Sequence, residues 1–149
     1  MELLCLGGGD EIGKEGFLIK EGEASILFEY GVKLQPEPPS YPAEVEEKIN
    51  AVFVTHAHLD HAGALPLLYK KQEAPCLLTP PTLDIYHLLI KDFLKVQEKK
   101  GYPEPFSEKE LSLFLKHVRK VDYQDKIRVR DKRIRIFNAG HIPGSYSAL

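Results

Sequence analysis

Residues 51–65 read AVFVTHAHLDHAGAL, and this stretch decides both the fold and the chemistry that the sequence predicts. Its first five residues form a continuous apolar and β-branched run, which is typical of a strand covered on both faces. Four potential metal ligands follow within six residues: His56, His58, Asp60 and His61. Because imidazoles and carboxylates hold ions such as zinc, we predict a metal site in the loop that follows this buried strand.

The spacing of these four side chains favours two neighbouring ions. The two alternating histidines can chelate one ion, and the adjacent aspartate and histidine can turn toward a second. An isolated histidine is more often a surface or packing residue, which is our interpretation of His87 and His117. For the cluster, that interpretation leaves four polar groups crowded at a strand end, where burial without partners is costly. We therefore predict that the cluster binds metal.

A further predicted ligand is His141. It lies within residues 138–145, NAGHIPGS, which read as the end of a strand followed by a turn. Loops at strand ends carry binding residues on a rigid scaffold, so this loop can bring another imidazole to the first ion. His141 is thus the predicted third imidazole of the first ion.

The periodicity of the remaining chain predicts an α/β fold in which helices cover a mixed sheet. Short β-rich runs separated by turn residues predict strands at residues 2–6, 16–20, 24–30, 51–55, 75–79, 126–130 and 133–137. Helical spacing and helix-start signals predict helices at residues 43–48, 64–71, 80–99 and 107–118. The glycines of residues 7–13 do not indicate a dinucleotide-binding loop, because a strand follows them where such a loop requires a helix.

The composition limits the class of protein. With 149 residues the chain corresponds to one domain, and its formal net charge of -2 gives no general attraction to nucleic acids or anionic membranes. Cys5 and Cys76 lie in apolar runs, and we predict that both are buried thiols. Neither a signal peptide nor a membrane-spanning run is visible, so we expect a cytoplasmic protein without membrane association.

Several motifs resemble one enzyme family. Residues 55–65, THAHLDHAGAL, resemble the signature of the metallo-β-lactamase superfamily, and residues 139–145, AGHIPGS, resemble the next metal motif of its β-CASP nuclease branch. Residues 7–17, GGGDEIGKEGF, are similar to the opening of ribonuclease J and of archaeal relatives of the cleavage and polyadenylation nucleases. Residues 79–82 and the helix around Asp92 resemble the segment between those motifs.

The resemblance implies a two-zinc ribonuclease site. His56, His58 and His141 would hold the first zinc, and Asp60 and His61 the second. Two ions roughly 3.5 to 4 Å apart activate water and neutralise charge during phosphodiester hydrolysis, here in single-stranded RNA. Asp60 is also the implied catalytic residue, accepting the proton of the attacking water.

Two departures from the family pattern affect what we expect. Glu29 occupies the place of an aspartate that braces the histidine loop; it either serves the same purpose or is an ordinary strand-end carboxylate. In addition, residues 1–149 lack the bridging aspartate, the β-CASP domain and the last histidine ligand of the family. We therefore expect a partial metallo-β-lactamase domain, the N-terminal half of an αββα sandwich that is truncated before the β-CASP insertion. It would bind one zinc or none, be inactive alone and associate with itself through exposed sheet surface.

Alternative functions remain open at this point. The same metal core serves superfamily hydrolases that act on thioesters, lactams or small phosphodiesters, and a truncated half-domain need not be catalytic at all. A basic alternation contributes phosphate contacts under the nuclease hypothesis and is otherwise a solvated strand face; it comprises Lys126, Arg128, Arg130, Lys132, Arg133 and Arg135.

Overall fold

The computed structural model describes all 149 residues, which form nine strands and four helices. The strands are Glu2–Gly7 (β1), Gly16–Glu21 (β2), Ala24–Phe28 (β3), Ala51–Phe53 (β4), Cys76–Leu78 (β5), Val118–Lys120 (β6), Lys126–Val129 (β7), Lys132–Asn138 (β8) and Tyr146–Ala148 (β9). The helices are Leu59–Ala62 (α1), Leu65–Leu68 (α2), Pro80–Lys99 (α3) and Glu108–His117 (α4). None of the helices is both long and apolar enough to cross a membrane.

The strands form two sheets. The larger sheet has the order β1-β2-β3-β4-β5-β6; its first three strands are antiparallel, and β3 to β6 are parallel. Parallel neighbours need long crossovers, which here contain α1 and α2 between β4 and β5, and α3 and α4 between β5 and β6. Strands β7, β8 and β9 form a smaller antiparallel sheet. The predicted α/β class with a mixed sheet is confirmed.

The larger sheet is the middle of three layers. Along β4, Val52 packs into a core shared with the helices, whereas Ala51 and Phe53 pack into a second core shared with the smaller sheet. Both faces of β4 are therefore buried, which explains why its sequence is continuously apolar instead of alternating. The same arrangement places the end of β4, and the histidines that follow it, between two packed layers.

The long helix begins where its sequence predicts. Thr79 is its N-cap, with a side chain that accepts a hydrogen bond from the backbone N–H of Thr82 at 3.4 Å. Pro80 occupies the first helical position, where the missing N–H costs nothing. Before α4, the Ser107 N–H donates to the Glu110 carboxylate at 2.8 Å, as the predicted capping box requires.

The helix predicted at residues 43–48 is absent, and that prediction was wrong. The backbone there bonds to distant groups: the Ala43 N–H donates to the Leu6 carbonyl at 2.9 Å, and the buried Gln72 amide donates to the carbonyls of Val45 and Glu47. These partners satisfy the backbone without helical hydrogen bonds. The helix predicted at residues 64–71 is also shorter, because its last residues form a turn.

Of the two cysteine predictions, one is confirmed and one is wrong. Cys76 is buried in β5, as expected, but Cys5 is exposed, so that the prediction of a second buried thiol was wrong. The core between the two sheets contains residues of β3, β4 and β5 and none from β1. The smaller sheet thus does not reach the side of β1 from which Cys5 projects.

One fully buried tyrosine allows a test of the helix-side core. The hydroxyl of Tyr86 has no hydrogen-bond partner, whereas that of Tyr69 donates to the Ala74 carbonyl at 2.8 Å. We expect Tyr86→Phe to raise the free energy of unfolding by about 1 kcal/mol, because it removes an unpaired buried hydroxyl. Tyr69→Phe, the matched control, should lower it by about 1 kcal/mol. Urea denaturation measures both; a destabilised Tyr86→Phe would contradict this account.

Candidate metal centre

Backbone contacts between two neighbouring loops position the histidines. The loop after β3 lies against the loop after β4, and the Tyr30 N–H donates to the His61 carbonyl at 2.8 Å. Gly31 is necessary for this approach, since a Cβ atom there would lie 1.6 Å from the Asp60 carbonyl oxygen. The parallel pairing of β3 and β4 brings both loops to the same edge of the sheet. The histidine loop is therefore attached to the scaffold along its length.

Three of the predicted ligands converge on one point. His56 Nε2 lies 3.0 Å from His58 Nδ1, which in turn lies 3.3 Å from His141 Nε2. One ligand atom from each of the three side chains lies within 4.8 Å of the others. The structure thus joins two loops that are separated by more than eighty residues in sequence.

The donor set fits a cation. Four ligands around zinc at 2.0 to 2.1 Å stand roughly 3.3 Å apart in a tetrahedron, close to the two measured nitrogen separations. Burial, reinforced by the neighbouring histidines, lowers the pKa of His56 to about 4. His56 is therefore neutral near pH 7, which is the form that binds metal.

Asp60 and His61 lie beside this trio but do not belong to it. The ring centroids of His61 and His56 are 4.1 Å apart, and the Asp60 carboxylate lies 3.8 Å from His61 Nε2. Neither side chain contributes a ligand atom to the compact cluster of His56, His58 and His141. The structure thus places the five predicted ligands as a trio with an adjacent pair, and their division between two ions stays a prediction.

Glu29 lies beneath the histidine loop. Its carboxylate is buried, accepts hydrogen bonds from the Thr55 backbone N–H at 3.2 Å and lies 3.6 Å from His61 Nδ1. Burial raises the pKa of Glu29, although His61 and Thr55 oppose this. Burial works to lower the pKa of His61, but the attraction of Glu29, together with that of Asp60 and Glu15, outweighs it and raises that pKa. The carboxylate therefore touches two sides of the loop, which favours a bracing role over an ordinary surface one.

No role was predicted from the sequence for Thr55. Its hydroxyl lies 2.9 Å from Nδ1 of His56, so that it can accept a hydrogen bond from Nδ1–H and leave the Nε2 lone pair facing the other imidazoles. Its backbone carbonyl accepts from the Tyr146 N–H at 2.9 Å, which joins the smaller sheet to the histidine loop. The sequence feature that could have indicated this role is the position of Thr55 directly before the first histidine.

The loop that carries His141 is closed by its own hydrogen bonds and attached to the start of α3. The Ser145 hydroxyl accepts the His141 backbone N–H at 3.0 Å. The carbonyl of Gly144 accepts hydrogen bonds from the hydroxyls of Thr79 at 2.7 Å and Thr82 at 3.2 Å, at the start of α3. Gly144 has a φ of +82°, and a Cβ atom there would lie 2.5 Å from the Thr79 hydroxyl. The motif around residues 79–82 thus supports the metal loop from across the fold.

A comparison with protein families agrees with this geometry. Residues 18–143 match the family described as the metallo-beta-lactamase superfamily. The chain belongs to the metallo-beta-lactamase superfamily. This match includes all five predicted ligands and the strands β3, β4 and β8 that precede their loops.

Among curated relatives, the chain is similar to "Probable RNase MJ4" of Methanocaldococcus jannaschii, with 34% identity over all of the chain and 35% of the relative. It is 39% identical to the transcription termination factor FttA of Methanosarcina mazei, over 97% of the chain and 24% of that protein. RNase aCSPSF2 of Saccharolobus solfataricus is 32% identical over 96% of the chain and 29% of the relative. The chain thus spans about a third or less of the length of these superfamily relatives.

Solved structures show the same fold. A superfamily protein from the archaeon Sulfolobus tokodaii superposes with a TM-score of 0.63 over 99% of this chain and 59% of its own, at 18% identity. The Rm3 metallo-beta-lactamase gives a TM-score of 0.59 over 98% of this chain and 52% of that one, at 17% identity. The predicted fold, a part of the superfamily sandwich, is confirmed.

The Thr55 hydroxyl gives a test of how the centre is organised. We expect Thr55→Val, which keeps the side-chain volume, to weaken zinc binding by about 10- to 100-fold, because His56 loses the partner that orients its ring. Competition with a chelating dye measures the dissociation constant. Thr55→Ser keeps the hydroxyl and should bind zinc as tightly as the unsubstituted chain. If Thr55→Val also binds zinc as tightly as the unsubstituted chain, the orienting role is contradicted.

Proposed function

We propose that this chain is part of a longer protein, and that this full-length protein is a metal-dependent ribonuclease that hydrolyses phosphodiester bonds in single-stranded RNA. The observation that carries the proposal is the convergence of three imidazoles beside Asp60 and His61. Relatives that align along nearly the whole chain bear the name RNase, which supports RNA as the substrate. These residues and this substrate class together favour a nuclease over a hydrolase of thioesters or lactams.

His56, His58 and His141 are the proposed ligands of one zinc ion, and Asp60 and His61 those of a second. Bound zinc would lower the pKa of a water and stabilise negative charge on a phosphate. The Asp60 side chain is about two-fifths exposed, so that it can accept a proton from a water molecule. Glu29 and Thr55 keep their places behind the ligands and hold the rings in position.

We propose that residues 1–149 form the N-terminal metallo-β-lactamase part of a β-CASP-type nuclease of the cytoplasm. The support is that relatives three to four times longer match the chain over 24 to 35% of their own length. The remaining ligands of the second ion would then lie in the part of the relatives that the chain does not match. On its own this chain would hold one zinc or none and be inactive toward RNA.

Metal content and RNA cleavage test the proposed ligands together. We expect His58→Ala to abolish zinc binding, since His58 Nδ1 faces both other imidazoles. In the full-length protein, Asp60→Asn should retain the zinc of the histidine trio and lose cleavage by a factor of about 100 or more, the contribution of a general base. Elemental analysis gives zinc per chain, and a labelled RNA and a thioester give the two activities. Asp60→Asn with full zinc and full RNA cleavage would refute its catalytic role, and thioester turnover alone would refute the ribonuclease.

We also propose that the chain associates with a second copy through an apolar patch on the larger sheet. The patch consists of side chains on the side of β1 and β2 away from the helices, paired in register as Leu3 with Ile19 and Cys5 with Phe17. Leu3 is 63% exposed, and Cys5 is also exposed. The smaller sheet stops short of this patch, and a contiguous apolar surface of this kind favours association.

Sedimentation equilibrium tests the association. We expect Leu3→Lys to weaken it at least tenfold, because burying one leucine contributes about 1.5–3 kcal/mol. Leu88→Lys is the matched control, since Leu88 is 72% exposed on α3, away from the patch, and should associate like the parent chain. A parent chain that stays monomeric across the concentration range would overturn this proposal.

A further inference from the structure

The outer surface of the smaller sheet carries four basic side chains in two cross-strand pairs. In β8, Ile134 and Ile136 point into the core between the sheets, so the alternating Arg133 and Arg135 project outward. In the neighbouring β7, Lys126 lies opposite Arg135 in register, and Arg128 lies opposite Arg133. We call these four residues, Lys126, Arg128, Arg133 and Arg135, the basic face.

The four charges of the basic face have no salt-bridge partner within the chain. All four residues are exposed, and none of the ion pairs in the chain includes any of them. The nearby carboxylate of Asp131 pairs with Lys132 at 3.0 Å instead. Like charges directly opposite each other destabilise an antiparallel pair. Two such pairs side by side, in a chain with a net charge of -2, form a surface that an anion would stabilise.

An aromatic ring continues the basic face toward the metal centre. Phe137 follows Arg135 on the same side of β8, is only partly buried, and has the Arg135 guanidinium 5.0 Å from its ring centroid. The strand then ends at Asn138, three residues before His141. At 3.3 to 3.4 Å per residue, Arg133 stands about 17 Å from that end, so the cations and the ring follow one another along β8 toward the strand end that precedes the His141 loop.

We propose that the basic face binds the sugar-phosphate backbone of single-stranded RNA and leads the strand to the histidine centre; this inference rests on the proposed ribonuclease function. Arginine forks match phosphate oxygens in pairs, and Phe137 offers a ring on which a base can stack. A depression of about 510 Å³ is lined by the four basic residues together with Ile127 and Leu149. The sugar-phosphate backbone of the RNA can lie in this depression, between the basic residues of β7 and those of β8. An acidic protein segment would use the charges but would have no need of the ring.

The salt dependence of RNA binding tests the basic face. In a variant with all four residues changed to Gln, the slope of log K against log salt for a labelled oligouridylate should fall in magnitude by about 2.8, since each single-strand phosphate contact contributes about 0.7. The double variant Arg133→Gln with Arg135→Gln should lower the slope by about half as much. All measurements contain EDTA, so that binding is followed without cleavage.

Four exposed lysines outside the smaller sheet provide a control with the same change in charge: Lys91, Lys95, Lys99 and Lys109. Their conversion to Gln should leave the slope nearly unchanged. An equal fall in both variants would mean that only net charge matters, and an unchanged slope in the basic-face variant would mean that the face makes no contact; either result overturns the proposal.

Two further measurements identify the occupant. Phe137→Leu should weaken oligouridylate binding about tenfold without changing the salt slope, because it removes stacking and no charge. Polyglutamate that competes as well as unlabelled oligouridylate of equal charge would indicate an acidic protein segment and overturn the assignment to RNA. Normal binding by the basic face in a protein that never cleaves RNA would retain this proposal and refute the ribonuclease function alone.

Discussion

The site depends on the contact between the loop after β3 and the loop after β4. The two strands run parallel, so both loops leave the same edge of the sheet, and Gly31 lets their backbones come within hydrogen-bonding distance. This contact converts a flexible histidine-rich segment into a backbone with fixed direction. The separations of about 3 Å between imidazole nitrogens follow from it, because each ring starts from an anchored main chain.

Around that contact the fold places polar groups in a graded order. The buried Glu29 carboxylate lies deepest and reaches both Thr55 and His61. The imidazoles form the next level, and burial keeps His56 neutral. Asp60 stands outermost and partly exposed. A carboxylate at the floor can brace the loop without entering the site, while the one at the rim is free to meet solvent and substrate.

The two outer surfaces have opposite character. On the larger sheet, β1 and β2 present apolar side chains beyond the edge of the smaller sheet, whereas the smaller sheet presents arginine and lysine. Apolar surface gains free energy when another protein surface removes it from water, and uncompensated positive charge gains it from an anion. The chain thus separates a surface suited to protein association from a surface suited to nucleic acid, with the metal centre at the edge near the second.

Much of the fold could be predicted locally. Strand β4 follows from its continuous apolar run, α3 from Thr79 and two prolines, and the β7–β8 hairpin from alternating charge, since each pattern acts within a few residues. The absent helix at residues 43–48 and the exposed Cys5 could not be predicted this way. In the first case distant partners compete for the backbone, and in the second the reach of another sheet decides burial.

The sequence by itself determined which side chains can bind metal, because ligand chemistry and short spacing are local properties of residues 56–61. Only the tertiary structure decided which of these side chains lie together in one cluster. It brought His141 to His56 and His58, left Asp60 and His61 beside them, and placed Thr55, Thr79 and Thr82 as supports. The physical reason is that these supports are backbone and hydroxyl contacts between segments far apart in the chain, and their distances exist only after the sheets have packed.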